Sequence, residues 1–269
     1  MPILDDASSD KFVEPDDVPR PVVTFGATFV SKGFELEPHA HRKAQLMMSM
    51  RGVLTCEAAG GLWIVPPRCA LWVPANVVHG IKVSGTLEGY SAFVDAALAT
   101  PLPAACCAIP VSPLLRELVI RSASFEACYP EGGLESHLAT LLIDEIAAAP
   151  IDTMQHVPMP EDARLRKVAT ALMDHPADRG TLETWAKHAG LSERTMARLV
   201  VRETGMSFGR WRQQIQIMYA LQWLAGGMSI QQVAIDLGYE SAGSFVTMFR
   251  KALGNSPGRY MAERAAGQP

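Results

Sequence analysis

Residues 229–260 read SIQQVAIDLGYESAGSFVTMFRKALGNSPGRY, a pattern that predicts two short helices folded around a tight turn and closed by a proline-marked tail. Ser229 is placed as an N-cap, and Gln232 three residues on completes a capping-box pattern. Val233, Ala234 and Leu237 supply an apolar face, and Gly238 can take the positive φ that the turn requires. A second helix is expected from about Ser241. Phe245, Met248 and Phe249 fall at helical spacing on its buried side, which leaves Ser241, Gly243, Ser244 and Thr247 outward, side chains small enough to enter a groove.

The same plan stands upstream in TLETWAKHAGLSERTMARLVVRETG, residues 181–205. An alanine-rich helix through Trp185, Ala186 and Ala189 turns at Gly190 and restarts behind Ser192, a second N-cap, exposing Glu193, Arg194, Thr195 and Arg198. The turn glycines Gly190 and Gly238 are 48 positions apart. Between the units, Phe208 to Ala225 carries Trp211, Ile215, Met218 and Leu221 or Leu224 at helical spacing, one linking helix closed by Gly226 and Gly227.

Two helix-turn-helix patterns in this order, the run GYESAGSFVTMFRKALGNSPGRY and the opening RLRKVATALMDHP together resemble the DNA-binding domain of AraC/XylS-family transcription regulators, over Arg164 to Arg259. The resemblance implies double-stranded DNA as a partner, with RNA polymerase as a further one. It places helix-turn-helix units at about 181–205 and 229–252 on one face of the duplex, about one helical turn or roughly 34 Å apart. The contact set is then Ser192, Glu193, Arg194, Thr195 and Arg198 from the first unit and Glu240, Ser241, Gly243, Ser244 and Thr247 from the second, with Arg250 and Lys251 on the backbone. Arg194 and Arg198 are the readers of choice, since a bidentate Arg on guanine discriminates by roughly 1–3 kcal/mol, although Arg198 alternatively ties only a phosphate. Glu193 and Glu240 either accept from cytosine or stabilise their helix dipoles.

Charge divides along the same line. Residues 161–269 hold 14 Lys or Arg against 10 Asp or Glu, whereas residues 1–160 hold 10 against 18; the basic half suits phosphate and the acidic half does not. A chain of 269 residues with 48% apolar content has room for two cores. No apolar run reaches the roughly 18 residues of a membrane span, and MPILDDASSDKF is acidic rather than signal-like, so a soluble cytoplasmic protein with no membrane partner is expected. Cys56, Cys69, Cys106, Cys107 and Cys128 form an odd set without metal-type spacing, read as reduced and mostly buried thiols.

From Val22 to Asp95 the period changes. Short runs rich in Val, Phe, Trp and Leu are broken at Lys32-Gly33, Arg51-Gly52, Gly60-Gly61, Pro66-Pro67, Pro74-Ala75-Asn76 and Ser84-Gly85, a spacing that predicts a β sandwich or barrel. PHAHRKAQLMMSMRG and VPPRCALWVPANVVHGI resemble the two motifs of a cupin jelly roll, the sensor domain of one branch of these regulators. His39 and His41 point to one face if on a strand. Gln45 stands where many cupins carry a glutamate, and His79 where the second motif has its histidine. The four form a divalent-metal site with an amide oxygen as fourth ligand, or a metal-free pocket for a small-molecule effector, or are structural. The neutral amide weakens the case for metal. Trp63, Trp72 and Met47 line that pocket or are core.

The expected architecture is therefore an α+β two-domain chain: a flexible N-terminus (1–20), a cupin-like jelly-roll barrel (21–98), a helical connector (99–148), a linker (149–160) and an all-α domain with two helix-turn-helix motifs (161–264). In the connector, Ser112 and Pro113 start one helix. Leu134, Leu138, Leu141, Leu142 and Ile146 make an apolar stripe on a second, which either pairs two subunits as a homodimer or packs on its own barrel. The function expected is a DNA-binding transcription regulator, activator or repressor, whose barrel senses a small molecule or metal and which controls a neighbouring operon; within the family it is similar to the nitroimidazole-resistance subgroup. A metal-dependent cupin enzyme fused to a DNA-binding domain is the alternative.

Overall fold

A computed structural model of the chain describes residues 13–65, 67, 69–96, 102–151 and 156–266, without side chains at 29–34, 84–86 and 264–266. Two compact units are present, one built on residues 13–59 and 63–151, the other on 60–62 and 156–263.

The first unit is an antiparallel sheet of β1 (Val22–His39), β2 (Ala44–Arg51), β3 (Leu54–Ala58), β4 (Gly61–Val65), β5 (Cys69–Val73), β6 (His79–Val94) and β7 (Cys107–Pro110). Its strand order is β7-β5-β2-β6-β3-β4, with β1 also paired to β6. Two expected turns are strand instead. β1 runs through Lys32-Gly33 and β6 through Ser84-Gly85, and the two strands pair there with Ser31 opposite Gly85 and a register irregularity between Ser31 and Phe34. Both glycine dipeptides belong to one bulged stretch of a long antiparallel pair, not to loops. The turns at Gly52 (φ 81°), Gly60 (φ 69°) and Asn76 (φ 61°) form where expected; Pro66 lies outside the described residues. β7 adds a strand beyond residue 98, pairing Ala70 with Ile109 on β5.

β2 and β5 are buried on both faces. Leu46, Met48, Ala70 and Trp72 pack towards α1 (Pro113–Ser122) and α2 (Leu134–Ala148), against Leu115, Leu118, Val119, Leu142 and Ile146. The alternate residues Met47, Cys69, Leu71 and Val73 face a second cluster with Trp63 and Cys56. Trp63, Trp72 and Met47 are thus core residues, 5%, 1% and 1% exposed. Burial also pushes the Cys56 thiol up to about 12 and those of Cys106 and Cys107 up to about 11, so these thiols stay protonated; Cys128 is exposed.

Ser112 caps α1 through the Leu115 N–H, with Pro113 in the first turn. On α2 the buried stripe is Ala139, Leu142, Ile143 and Ile146. Leu134 and Leu141, expected on that stripe, are instead 61% and 40% exposed, because Ala139 and Ile143 take the barrel-facing side. Residues 13–20, expected to be flexible, are held: Asp16 accepts the N–H groups of Arg42 (2.6 Å) and Lys43 (2.9 Å), while Lys43 Nζ donates to Val18 O and Arg20 O, both at 2.7 Å. Residues 1–12 and 152–155 of the expected terminus and linker are outside the described residues.

The second unit contains β8 (His156–Pro158), α3 (Ala163–Asp174), α4 (Leu182–His188), α5 (Glu193–Thr204), α6 (Phe208–Ala225), α7 (Ile230–Asp236), α8 (Ala242–Leu253) and α9 (Pro257–Ala266). α6, about 27 Å long at 1.5 Å per residue, buries Trp211, Ile215, Ile217, Met218, Ala220 and Leu221 around its circumference. It contacts α3 and α5 on one side and α7 on the other. Its N-terminal end is further fixed to β8, where Trp211 Nε1 donates to Pro158 O (3.0 Å). Phe245, Phe249, Val233, Ala234, Leu237 and Tyr260 close a core with the C-terminal half of α6.

Candidate functional site

Each helix-turn-helix unit is set by its caps. Ser192, Ser207, Ser229 and Ser241 each accept a backbone N–H three residues on, a contribution of about 1 kcal/mol apiece. The capping box at Ser229 is half formed: Gln232 N donates to Ser229 Oγ, but the Gln232 amide turns forward to Asp236 Oδ1 (2.8 Å). Gly190 (φ 65°) and Gly238 (φ 76°) take the left-handed turn positions.

On α5 the buried residues Met196, Leu199 and Val200 fix the opposite face outward. Arg194 and Arg198 lie on that outward face, and among the described residues neither has an ion-pair partner. Ser192 and Thr195 are committed elsewhere, their hydroxyls 2.8 Å apart within the cap. Glu193 is exposed in the first turn, where a carboxylate favours the helix dipole. On α8, Ser241, Gly243, Ser244 and Thr247 are outward as expected. Ser244 Oγ donates to Ser241 O (2.8 Å) and Thr247 Oγ1 to Gly243 O (2.9 Å), so both hydroxyls meet a groove with lone pairs rather than with a ready donor. Arg250 and Lys251 are exposed in the last turn of α8. Glu240 pairs with Arg179 at 3.4 Å.

A polar network missing from the sequence reading joins the turn of the second unit to the loop between α3 and α4. Gln216 on α6 donates to Pro176 O (3.0 Å) and Leu237 O (3.4 Å) and accepts from Tyr239 Oη (2.9 Å). A lone Gln inside an apolar helix face was the only signal for it.

In the first unit, β1 ends at His39 and β6 begins at His79, directly paired. His41 follows in the β1–β2 turn that Asp16 pins, and Gln45 enters on β2. The four side chains converge: one ring nitrogen from each of His39, His41 and His79 lies within 4.8 Å of the other two. Gln45 Oε1 is 3.2 Å from His41 Nε2 and 2.9 Å from His79 Nε2, and Gln45 Nε2 donates to Ser91 Oγ (3.2 Å). The Nδ1 atoms of His39, His41 and His79 each face a backbone carbonyl, of Glu37, Lys43 and Val77. A carbonyl takes Nδ1–H, so each ring presents the Nε2 lone pair to the cluster. His79 is 1% exposed, and burial, with the neighbouring imidazoles, holds its pKa down to about 4, so it is neutral at pH 7. Lone pairs facing an amide oxygen repel. A cation at their centre relieves that repulsion, as does rotation of the Gln45 amide to put its NH₂ between the rings and its oxygen on Ser91.

Taken together, these features define a DNA-binding transcription regulator with an N-terminal ligand-binding domain. Residues 25–131 match the AraC-like ligand binding domain and residues 185–263 the helix-turn-helix domain family. The HTH-type transcriptional regulator NimR of Escherichia coli (strain K12) is 38% identical over 86% of this chain and 84% of its own length. The chain belongs to the AraC family of transcription regulators. The regulator RipA of Corynebacterium glutamicum is 34% identical over 44% of this chain and 36% of its own. The DNA-binding domain of AdpA, solved with a target DNA, is 30% identical over 38% of this chain and 95% of its own, with a TM-score of 0.36. These relatives are regulators, and the fused-enzyme alternative has no support among them. Among the described residues no helix is long and apolar enough to cross a membrane.

Proposed function

We propose that this regulator is governed by a divalent cation held by His39, His41 and His79 through Nε2 and by Gln45 through Oε1, and that cation occupancy changes its hold on DNA. The observation carrying this reading is the donor arrangement: three Nδ1 atoms are engaged by backbone carbonyls, leaving three nitrogen lone pairs and one amide oxygen directed at one another. Four neutral ligands with three imidazoles suit zinc, copper, nickel or iron and not magnesium or calcium. The bound ion would act as an electrostatic tie between β1, the pinned turn, β2 and β6.

DNA is read by α5 through Arg194 and Arg198, with Glu193, Ser192 and Thr195 shaping its first turn. α8 supplies register through Ser241, Gly243, Ser244 and Thr247, Glu240 stands at its entrance, and Arg250 and Lys251 hold backbone. The exposed Leu134 and Leu141 on α2 pair two copies of the chain. Promoter action through RNA polymerase in the cytoplasm, on a neighbouring operon, follows from that role.

The test is metal analysis of chelator-stripped protein titrated with zinc, nickel, copper, iron and magnesium, paired with DNA binding. Stoichiometric uptake of a transition metal, lost in His79→Ala, and a metal-dependent shift in DNA affinity are expected. If no ion binds but His41→Ala still abolishes a cellular inducer response with DNA binding intact, the same residues hold an organic effector instead.

A further inference from the structure

The second unit contains a cavity of about 380 Å³ bounded by the start of α4, the outer side of α5 and the start of α6. Its walls include Thr181, Ala197, Val201 and Phe208, and two arginines, Arg179 and Arg212, reach it; among the described residues no carboxylate lines it, the neighbouring Asp178 being turned onto the Gly180 N–H at 2.6 Å. Arg212 is held in place. Its guanidinium stands over the Phe208 ring at 5.8 Å and one N–H is spent on Gly180 O at 2.8 Å, which leaves four of its five donors for a ligand. Arg179 is engaged only loosely, by the exposed Glu240 carboxylate at 3.4 Å, and such exposed pairs are worth about 0–1 kcal/mol, so an anion can take it over.

The position of the cavity selects the anion. Ala197 and Val201 lie three and seven residues after Arg194, on the outward face of α5 that also carries Arg198; Val201 is 53% exposed there despite being apolar. When this face lies in a major groove, the sugar-phosphate backbone flanking the groove is the nearest source of negative charge.

We propose that the Arg179–Arg212 cavity seats one backbone phosphodiester of the DNA, with Ala197 and Val201 against the adjoining sugar, and so sets the depth and register of α5. This rests on α5 being the groove helix. Seating is sequence-independent: it contributes affinity and salt dependence to every site alike.

The experiment is binding of the full-length protein to its selected operator duplex and to a random duplex across a salt series, for Arg179→Gln, Arg212→Met and Arg194→Ala, with thermal melting to confirm folding. Arg212→Met keeps an unbranched aliphatic side chain at this position, and Arg179→Gln, at an exposed side chain, serves if Arg212→Met unfolds. Each is expected to weaken both duplexes by the same factor and to lower the slope of log K against log salt by about 1. A duplex neutralised at the seated position by one methylphosphonate should lose affinity in the wild type and lose nothing further in Arg179→Gln. An unchanged salt slope, or a loss confined to the operator, overturns the proposal. Should Arg194→Ala flatten sequence preference while the other two variants match wild type, the cavity assignment alone fails. Should all three match wild type, α5 is not the groove helix.

Discussion

A β-carbon on Gly238 would stand 2.6 Å from the carbonyl oxygen of Ala177. The turn of the second helix-turn-helix therefore rests directly on the loop that enters the first, and the Gln216 hydrogen bonds to Pro176 and Leu237 seal the same junction. The two helix-turn-helix motifs are fixed to each other by backbone contact as well as by α6.

Gly238→Ala should accordingly cost more than Gly190→Ala. Both positions have positive φ, 76° and 65°, but nothing lies within 4 Å of a β-carbon at Gly190. Left-handed strain alone is about 1 kcal/mol, and backbone overlap adds roughly 1–3 kcal/mol. Denaturant unfolding of the two variants gives the comparison; equal losses would mean that the junction yields freely.

Arg194→Ala should reduce binding to the operator while leaving random DNA almost unaffected, a change of about 1–3 kcal/mol in specificity. Competition binding reads this directly. Equal weakening on both duplexes would make Arg194 a phosphate contact.

His79 gives the metal-free protein an acid-sensitive window. Its folded pKa, about 4, lies below the ordinary histidine value, so between the two values the unfolded chain binds the proton and the folded one does not. Stability is complete above about pH 6.5 and declines as pH falls towards 4, by about 3 kcal/mol. Thermal melts with chelator at pH 7 and pH 5 should show this loss in wild type and a smaller one in His79→Gln.

Gln45→Glu should tighten transition-metal binding by roughly tenfold or more, since a carboxylate adds charge to an otherwise neutral ligand set. Calorimetry of the stripped protein measures it, and weaker binding in Gln45→Glu would show that the amide does not ligate.

Leu134→Glu with Leu141→Glu should leave the fold intact, because neither side chain is buried, and should abolish the proposed pairing of two copies; sedimentation of both proteins checks it, and a wild type that sediments as a monomer would remove the pairing.

What the residues reveal in advance follows the range of the forces involved. The caps at Ser192, Ser229 and Ser241 and the turns at Gly190 and Gly238 are interactions over three or four residues, and the order of residues states them outright. The glycines of β1 and β6 misled because a turn and a bulge demand the same backbone freedom; pairing across strands 54 residues apart decides between them, as with Ser31 and Gly85. His39, His41, Gln45 and His79 were legible by motif, whereas Ser91, which orients the Gln45 amide, arrives only through the register of β2 on β6. Arg179 and Arg212 were invisible for the same reason, being brought together by three helix ends.

β2 is a strand without a wet side. Gln45 and Met47 look towards the histidine cluster and inner core, while Leu46 and Met48, one residue out of phase, lie against the helical layer that carries α2. Close-packed matter barely compresses. A displacement of the Gln45 side chain would therefore have no cushion of solvent to dissipate in, and strand β2 would act as a pushrod, carrying it to the helix whose far side bears Leu134 and Leu141.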